Sequence, residues 1–198
     1  MLQIIPGIVI SYLLGSIPTA YIFGRLLKGI DIRKFGSGNI GATNALRVLG
    51  KGWGVAVLIL DVLKGFVAVV FIPVPQDTLR IVLGLACICG HNWTIFLRFK
   101  GGKGIATTFG VLIGLSVKII GLKLIVGLLI LTWVAVFALT RIVSFASILT
   151  VIALPVYSIL FKQSKILVFS GILLCIFALI RHKSNIKRIF QGKEPRLF

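Results

Sequence analysis

The chain has 198 residues, 58% of them hydrophobic, a mean hydropathy of +1.11 and a formal net charge of +18. Soluble domains carry roughly 45–50% apolar residues, so this composition excludes one and points to an all-α, polytopic membrane protein. The charge excludes nucleic acid as partner, because that footprint is a basic patch on a soluble domain; it requires a membrane explanation instead.

Apolar runs able to cross a hydrocarbon core need about 20 residues at roughly 1.5 Å each. Seven candidates occur in chain order: Leu2 to Gly24, Gly52 to Ile72, Leu79 to Leu97, Gly104 to Val117, Leu124 to Leu139, Ile142 to Phe161 and Ile166 to Ile180. The first lacks a preceding basic stretch and a small-residue cleavage site, so it reads as a span rather than a signal peptide. Pro6 and Pro18 within it are tolerable where neighbouring helices satisfy the freed backbone groups. The whole chain, 1–198, reads as one integral membrane domain.

With seven alternating helices, most of the 22 Lys and Arg fall on one side, including Arg25 to Lys51, Arg98 to Lys103, Arg141 and the run from Arg181 to Arg196. Only Arg80, Lys118, Lys123, Lys162 and Lys165 fall on the other. The positive-inside rule makes the first side cytoplasmic, with the N-terminus outside and the C-terminus inside. Cys87, Cys89 and Cys175 lie in apolar spans without metal-ligand spacing and read as small buried hydrophobes.

Between the first two spans, "GSGNIG" at Gly36–Gly41 is followed by Asp61 at the roughly 20-residue distance of a dinucleotide fingerprint. That motif requires a preceding strand and an α/β unit. Here it follows an apolar helix, and Asp61 lies inside the next span, so the nucleotide reading fails on context. Asp61 instead pairs with Lys64, three residues on along the same helix face. The loop keeps Ser37, Asn39, Thr43 and Asn44 as neutral hydrogen-bonding groups and Arg47 as a planar fork for phosphate or carboxylate.

Three further stretches on the same side carry glycines and polar side chains beyond what connectors need: Gly90 to Thr108, "TRIVS" at Thr140 to Ser144, and Arg181 to Pro195. All four are expected to serve one cytoplasmic-side site. "KGGKG" at Lys100–Gly104 leads into a span, so its glycine amides and the positive helix end together suit an anion. It is not a Walker A loop, since Leu97 stands where the first glycine belongs and Gly104 fills the Ser/Thr position. Ser144 joins the substrate-binding candidates.

The four acids, Asp31, Asp61, Asp77 and Glu194, are dispersed, which disfavours magnesium-nucleotide and two-metal mechanisms. No metal and no cofactor are expected. Neither His91 nor His182 is followed by an acid four or five residues on, so the His/Asp dyad of one acyltransferase class is missing. Cations, amides, hydroxyls and one or two histidines suit an anionic substrate whose reaction partner is already activated.

Three ordered motifs, Ser37 to Arg47, Gly90 to Thr107 and His182 to Glu194, closely resemble the bacterial membrane glycerol-3-phosphate acyltransferases that use acyl phosphate, the PlsY family. The resemblance spans nearly the whole chain. It departs at Trp93–Thr94, where an aromatic followed by proline is usual, and at Ile189, where leucine is. It implies seven transmembrane helices in the bacterial inner membrane, with the active site on the cytoplasmic side. The implied substrates are glycerol 3-phosphate and acyl phosphate, and the products lysophosphatidic acid and inorganic phosphate. It carries the glycerol-phosphate loop onto Gly101, Gly102, Lys103 and Gly104, beside Lys100. It links Ser37, Arg47, His182 and Asn185 to activity and makes Glu194 structural. Either His182 or a substrate phosphate would accept the proton of the attacking hydroxyl, and the acyl tail would lie among the helices in the lipid bilayer. The competing reading from another class is a membrane transporter of a phosphorylated solute, because glycine-broken helix ends and buried charges also mark such pathways. No motif specifies an oligomeric state.

Overall fold

The computed structural model describes residues 4–74, 76–119 and 121–197; Leu2, the expected start of the first span, lies outside them. Among the described residues the ordered elements are helices, with no strand. The chain divides into two compact units, one up to Lys118 and one from Ile119.

The first unit holds α1 (Ile4–Ser16), α2 (Thr19–Lys28), α3 (Ala42–Leu49), α4 (Lys51–Val70), α5 (Asp77–Asn92) and α6 (Ile105–Lys118). Short 3-10 turns at Ile32–Lys34 and Ile95–Leu97 interrupt its loops. α1 packs on α5, α4 on α6 and α3 on α4. The second unit holds α7 (Leu122–Thr140), α8 (Val143–Leu160), α9 (Lys165–Arg181) and α10 (Lys183–Phe190). There α8 packs on both α7 and α9, and α10 rests on α8 and α9.

The seven expected spans are not all met as continuous helices. Four stretches are individually long and apolar enough to cross a membrane: Lys51–Val70, Asp77–Leu97, Leu122–Thr140 and Val143–Leu160. Up to six spans result if the bent pairs α1–α2, at 40°, and α9–α10, at 66°, each count as one. The first expected span breaks at Ile17–Pro18, where proline supplies no N–H to continue the ladder. The fourth is α6, with 14 residues; at 1.5 Å each it reaches about 21 Å, short of a core about 30 Å thick. Residues that would lengthen it are spent in the glycine loop before Ile105.

Within the first unit, small residues let helix backbones meet. A side chain at Gly15 would collide with the Cys87 carbonyl and one at Gly90 with the Tyr12 carbonyl, which brings α1 against α5. Likewise, a side chain at Gly110 would run into the Val62 carbonyl and one at Gly65 into the Thr107 carbonyl, at the α4–α6 crossing. Such close approach is how apolar helices associate when lipid removes the hydrophobic drive between them. The outer faces carry exposed Ile10, Leu58, Leu63, Leu131, Leu139, Ile159 and Phe169, the pattern of a lipid-facing surface.

Beyond helix–helix contact, hydroxyls lock the α1–α5 pair: Tyr12 donates to the Trp93 carbonyl at 2.7 Å and Thr94 to the Ser16 carbonyl at 2.6 Å. Thr94 uses its hydroxyl twice. Its hydroxyl reaches the carbonyl before the α1–α2 break and also accepts from Phe96 N, opening the 3-10 turn. Gly110→Ala should destabilise the protein by about 1–3 kcal/mol through overpacking. Gly127→Ala, at a site with nothing within 4 Å, should stay within about 0.5 kcal/mol. Thermal unfolding in detergent measures both.

Candidate active site

The loop after α2 is shaped from within. Gly29 closes α2 in the left-handed region, at φ 65°. Asp31 then accepts from Arg33 N at 3.1 Å and holds the Arg33 guanidinium in a two-pronged pair at 2.9 and 2.6 Å. The hydrogen bonds from Arg33 bring the Asp31 carboxyl down to about 2, and the same contact raises the Arg33 pKa. The Arg33 guanidinium also lies 5.2 Å from the centroid of the Tyr21 ring.

Asn44, only 1% exposed, is the loop's internal template. Its Nδ2 donates to the carbonyls of Asn39 at 2.8 Å, Phe35 at 3.1 Å and Ile32 at 3.4 Å, while its Oδ1 accepts from Ser37 N at 2.8 Å. Gly36, at φ 59°, has no room for a side chain because the Asn44 amide occupies that place. Asn39 Oδ1 accepts from Gly41 N at 2.9 Å in a turn of its own. The glycine pattern that resembles a dinucleotide fingerprint therefore serves a loop wound round a buried amide. Ser37 and Arg47 stand exposed at its margin and Thr43 is half-buried.

The second loop, residues 93–104, joins α5 to α6. Its Leu97 shares a buried cluster with Ile32 and Ile40 of the first loop, Ala45 and Leu49 of α3, and Val57 of α4, so both loops rest on one core. Arg98 and Phe99 take left-handed backbone at φ 54° and 60°. The amides of Gly101 and Gly102, which the sequence reading aims at an anion, point elsewhere. Gly101 N donates to the Asn92 carbonyl at 3.2 Å and Gly102 N to the His91 carbonyl at 2.9 Å. These bonds satisfy the last carbonyls of α5, which a helix end leaves without partners. Side chains at Gly101, Gly102 and Gly104 would strike His91 and Asn92. Close packing under the loop thus explains the glycines, and the loop's positive charge comes from Lys100 and Lys103 at the start of α6.

In the second unit the third motif folds as helix, α10, which the span pattern did not reveal. His182 sits at the α9–α10 elbow, 2% exposed, with Nδ1 2.8 Å from the Ala178 carbonyl. An acceptor there assigns the neutral ring its Nδ1–H tautomer and leaves the lone pair on Nε2. Glu194 is the hub of the same unit. Its Oε1 accepts from Ser144 Oγ at 2.6 Å and Asn185 Nδ2 at 2.5 Å, and its Oε2 from Arg188 Nε at 2.6 Å. Ser144, expected to bind substrate, and Asn185, expected to serve activity, are thereby oriented by a carboxylate that the resemblance makes structural. The tail is pinned further by Leu197 N donating to the Arg141 carbonyl at 2.9 Å. Among the described residues no cluster of His, Cys, Asp and Glu has the makings of a metal site.

Burial pushes the Glu194 pKa up, but the hydrogen bonds from Ser144, Arg188 and Asn185 outweigh it and the net shift is downward. A carboxyl with a depressed folded-state pKa contributes stability above its unfolded value and loses it as pH falls. The unfolding midpoint should therefore drop as the pH is taken below 4.5, the ordinary Glu value, and the Glu194→Gln variant should show a flatter acid limb from a lower neutral-pH midpoint. A parallel acid limb in the variant would contradict this.

The glycerol-3-phosphate acyltransferase family model matches residues 5–192. A glycerol-3-phosphate acyltransferase of Desulforudis audaxviator is 46% identical, covering 98% of this chain and 96% of its own. One of Macrococcus caseolyticus is 45% identical over 99% and 98% of the two chains. Among solved structures, PlsY, an integral membrane glycerol 3-phosphate acyltransferase, superposes in its glycerol 3-phosphate form with a TM-score of 0.87 at 35% identity, covering 98% of this chain and 94% of that one. Its lysophosphatidic acid form gives 0.84 at 34% identity with the same coverage. With its apolar helices and a match running through both units, the chain belongs to the glycerol-3-phosphate acyltransferase family of integral membrane proteins.

Proposed function

We propose that the protein transfers a fatty acyl group from acyl phosphate to the 1-hydroxyl of sn-glycerol 3-phosphate, releasing lysophosphatidic acid and inorganic phosphate, the first step of phospholipid biosynthesis. The observation that carries this reading is the basic loop Lys100–Gly104 folded onto the end of α5 and opening α6, which offers cations rather than carboxylates to a ligand. Both substrates bear phosphate, and a mixed anhydride is already activated. Family membership and the glycerol 3-phosphate form of the PlsY structures support the acceptor, and their lysophosphatidic acid form supports the product. The proposal includes one domain over 1–198, seven membrane passages with the N-terminus outside and the C-terminus cytoplasmic, and catalysis on the cytoplasmic side of the bacterial inner membrane.

In the reaction the O1 hydroxyl of glycerol 3-phosphate attacks the acyl carbonyl carbon, a tetrahedral oxyanion forms, and the bond to the phosphate oxygen breaks. Lys100 and Lys103 hold the glycerol-phosphate dianion, with Gly101, Gly102 and Gly104 giving the loop its shape. Arg47 forks onto a phosphate. Ser37, Asn39, Thr43 and Asn185 supply neutral hydrogen bonds to glycerol hydroxyls or to the oxyanion, the charge whose stabilisation dominates acyl transfer, and Ser144, whose proton goes to Glu194, accepts from a glycerol hydroxyl. Asn44 contributes by holding the loop that presents Ser37. The Nδ1–H tautomer of His182 leaves Nε2 as the nitrogen suited to take the hydroxyl proton.

Purified protein given acyl phosphate and glycerol 3-phosphate, with neither metal nor nucleotide added, should release phosphate and form lysophosphatidic acid. No turnover, with labelled solute crossing liposomes, would favour the transporter. His182→Ala should lower turnover by about 10²–10⁴-fold, the usual worth of a general base, and remove a limb of its pH profile. Residual turnover with an unchanged profile would pass the proton to a substrate phosphate.

A further inference from the structure

The sequence pairs Asp61 with Lys64, and the structure contains that ion pair at 2.8 Å, with side chains 1% and 5% exposed. A lone structural pair would need nothing more, yet Asp61 Oδ1 collects two further neighbours. Thr19, at the start of α2, donates to it at 2.8 Å, and Nδ1 of His91, in the last turn of α5, stands 3.8 Å away. Lys64 Nζ in turn donates at 3.1 Å to the carbonyl of Ile17, at the α1–α2 break. One carboxylate oxygen thus meets groups from α2, α4 and α5.

His91 carries that junction to the second loop. Nδ1 faces Asp61, and the opposite edge of the ring lies against Gly102, where it occupies the place a side chain would take, beside Nε2. The His91 carbonyl also accepts from Gly102 N at 2.9 Å. Gly102 is therefore gripped by ring and backbone of one residue, and Lys103 follows it directly. A turn of the imidazole would either strike Gly102 or loosen its hydrogen bond.

We propose that Asp61 and His91 are positioning residues for the glycerol-phosphate loop, the buried carboxylate fixing the imidazole against which Gly102 and Lys103 are set. The inference rests on the reading that this loop takes the phosphate of glycerol 3-phosphate. Neither residue touches substrate; they act on affinity through Gly102.

Steady-state kinetics on purified full-length protein, with each substrate varied, test it in four variants: Asp61→Asn, His91→Phe, their double, and Lys103→Met. His91→Phe keeps a ring against Gly102 and removes the nitrogen facing Asp61. Each of the first two should raise KM for glycerol 3-phosphate about tenfold, a part of the roughly hundredfold that a 1 Å misplacement can cost. KM for acyl phosphate should stay near wild type in both, as should the unfolding midpoint of His91→Phe, whereas the midpoint of Asp61→Asn should fall because Lys64 is left buried without its carboxylate. The double variant should show no further rise, because both changes cut one connection. An unchanged KM for glycerol 3-phosphate in His91→Phe, additive effects in the double, or an equal rise in both KM values with a lowered midpoint in His91→Phe would overturn the inference. Should Asp61→Asn not fold, His91→Phe alone decides, since it leaves the Asp61–Lys64 pair in place. Lys103→Met separates the two levels. If it raises KM and His91→Phe does not, the positioning inference alone fails. If Lys103→Met leaves KM unchanged, the loop is not the phosphate site and both readings fall.

Discussion

The buried ion pair of Asp61 and Lys64 is the contact on which the first unit depends. Isolated charges at membrane depth are costly and persist when paired or functional, and a buried pair repays its desolvation only with good geometry and additional hydrogen bonds. Thr19 and the Ile17 carbonyl supply those bonds. They also sit on either side of Pro18, where the first span breaks, so the polar groups released by the break and the charges on α4 satisfy one another. The bend between α1 and α2 and the ion pair are two halves of one arrangement.

From that centre, constraint spreads outward through helix contacts that leave little slack. Glycines bring α1 onto α5 and α4 onto α6 at backbone distance, and the hydroxyls of Tyr12 and Thr94 tie α1 and its end to the chain after α5. The end of α5 is thereby held before the glycine loop begins. The loop's first two glycine amides return to cap α5, which makes the loop an extension of the helix end rather than a free connector. A segment built this way is preorganised, and preorganisation reduces the entropy lost when a ligand binds.

Both units use a buried polar side chain as a template for nearby chain. Asn44 spends both ends of its amide on the loop around it, and Glu194 gathers Ser144, Asn185 and Arg188 onto one carboxylate. In each case one residue of a polar motif holds the others in place. Type alone does not single it out: Asn39, Asn44 and Asn185 are one amino acid in three surroundings.

Sequence by itself determined the membrane class, the four polar stretches and the Asp61–Lys64 pair, because each is written in composition or in local spacing, and three ordered motifs carried the resemblance to the family. It also excluded the dinucleotide reading of Gly36–Gly41 from context alone. It did not show where the expected spans break or shorten, since hydropathy sees apolar length but not the break at Pro18 or the residues the glycine loop takes from α6. Tertiary structure alone decided that Thr19 and His91 join Asp61, that Gly101 and Gly102 turn their amides toward α5, and that Glu194 orients Asn185 and Ser144. Most of those contacts join residues on different elements, where no local periodicity records a partner. An amide or carboxylate looks the same in sequence whether its bonds go to a substrate or to the chain itself, and only packing chooses between them.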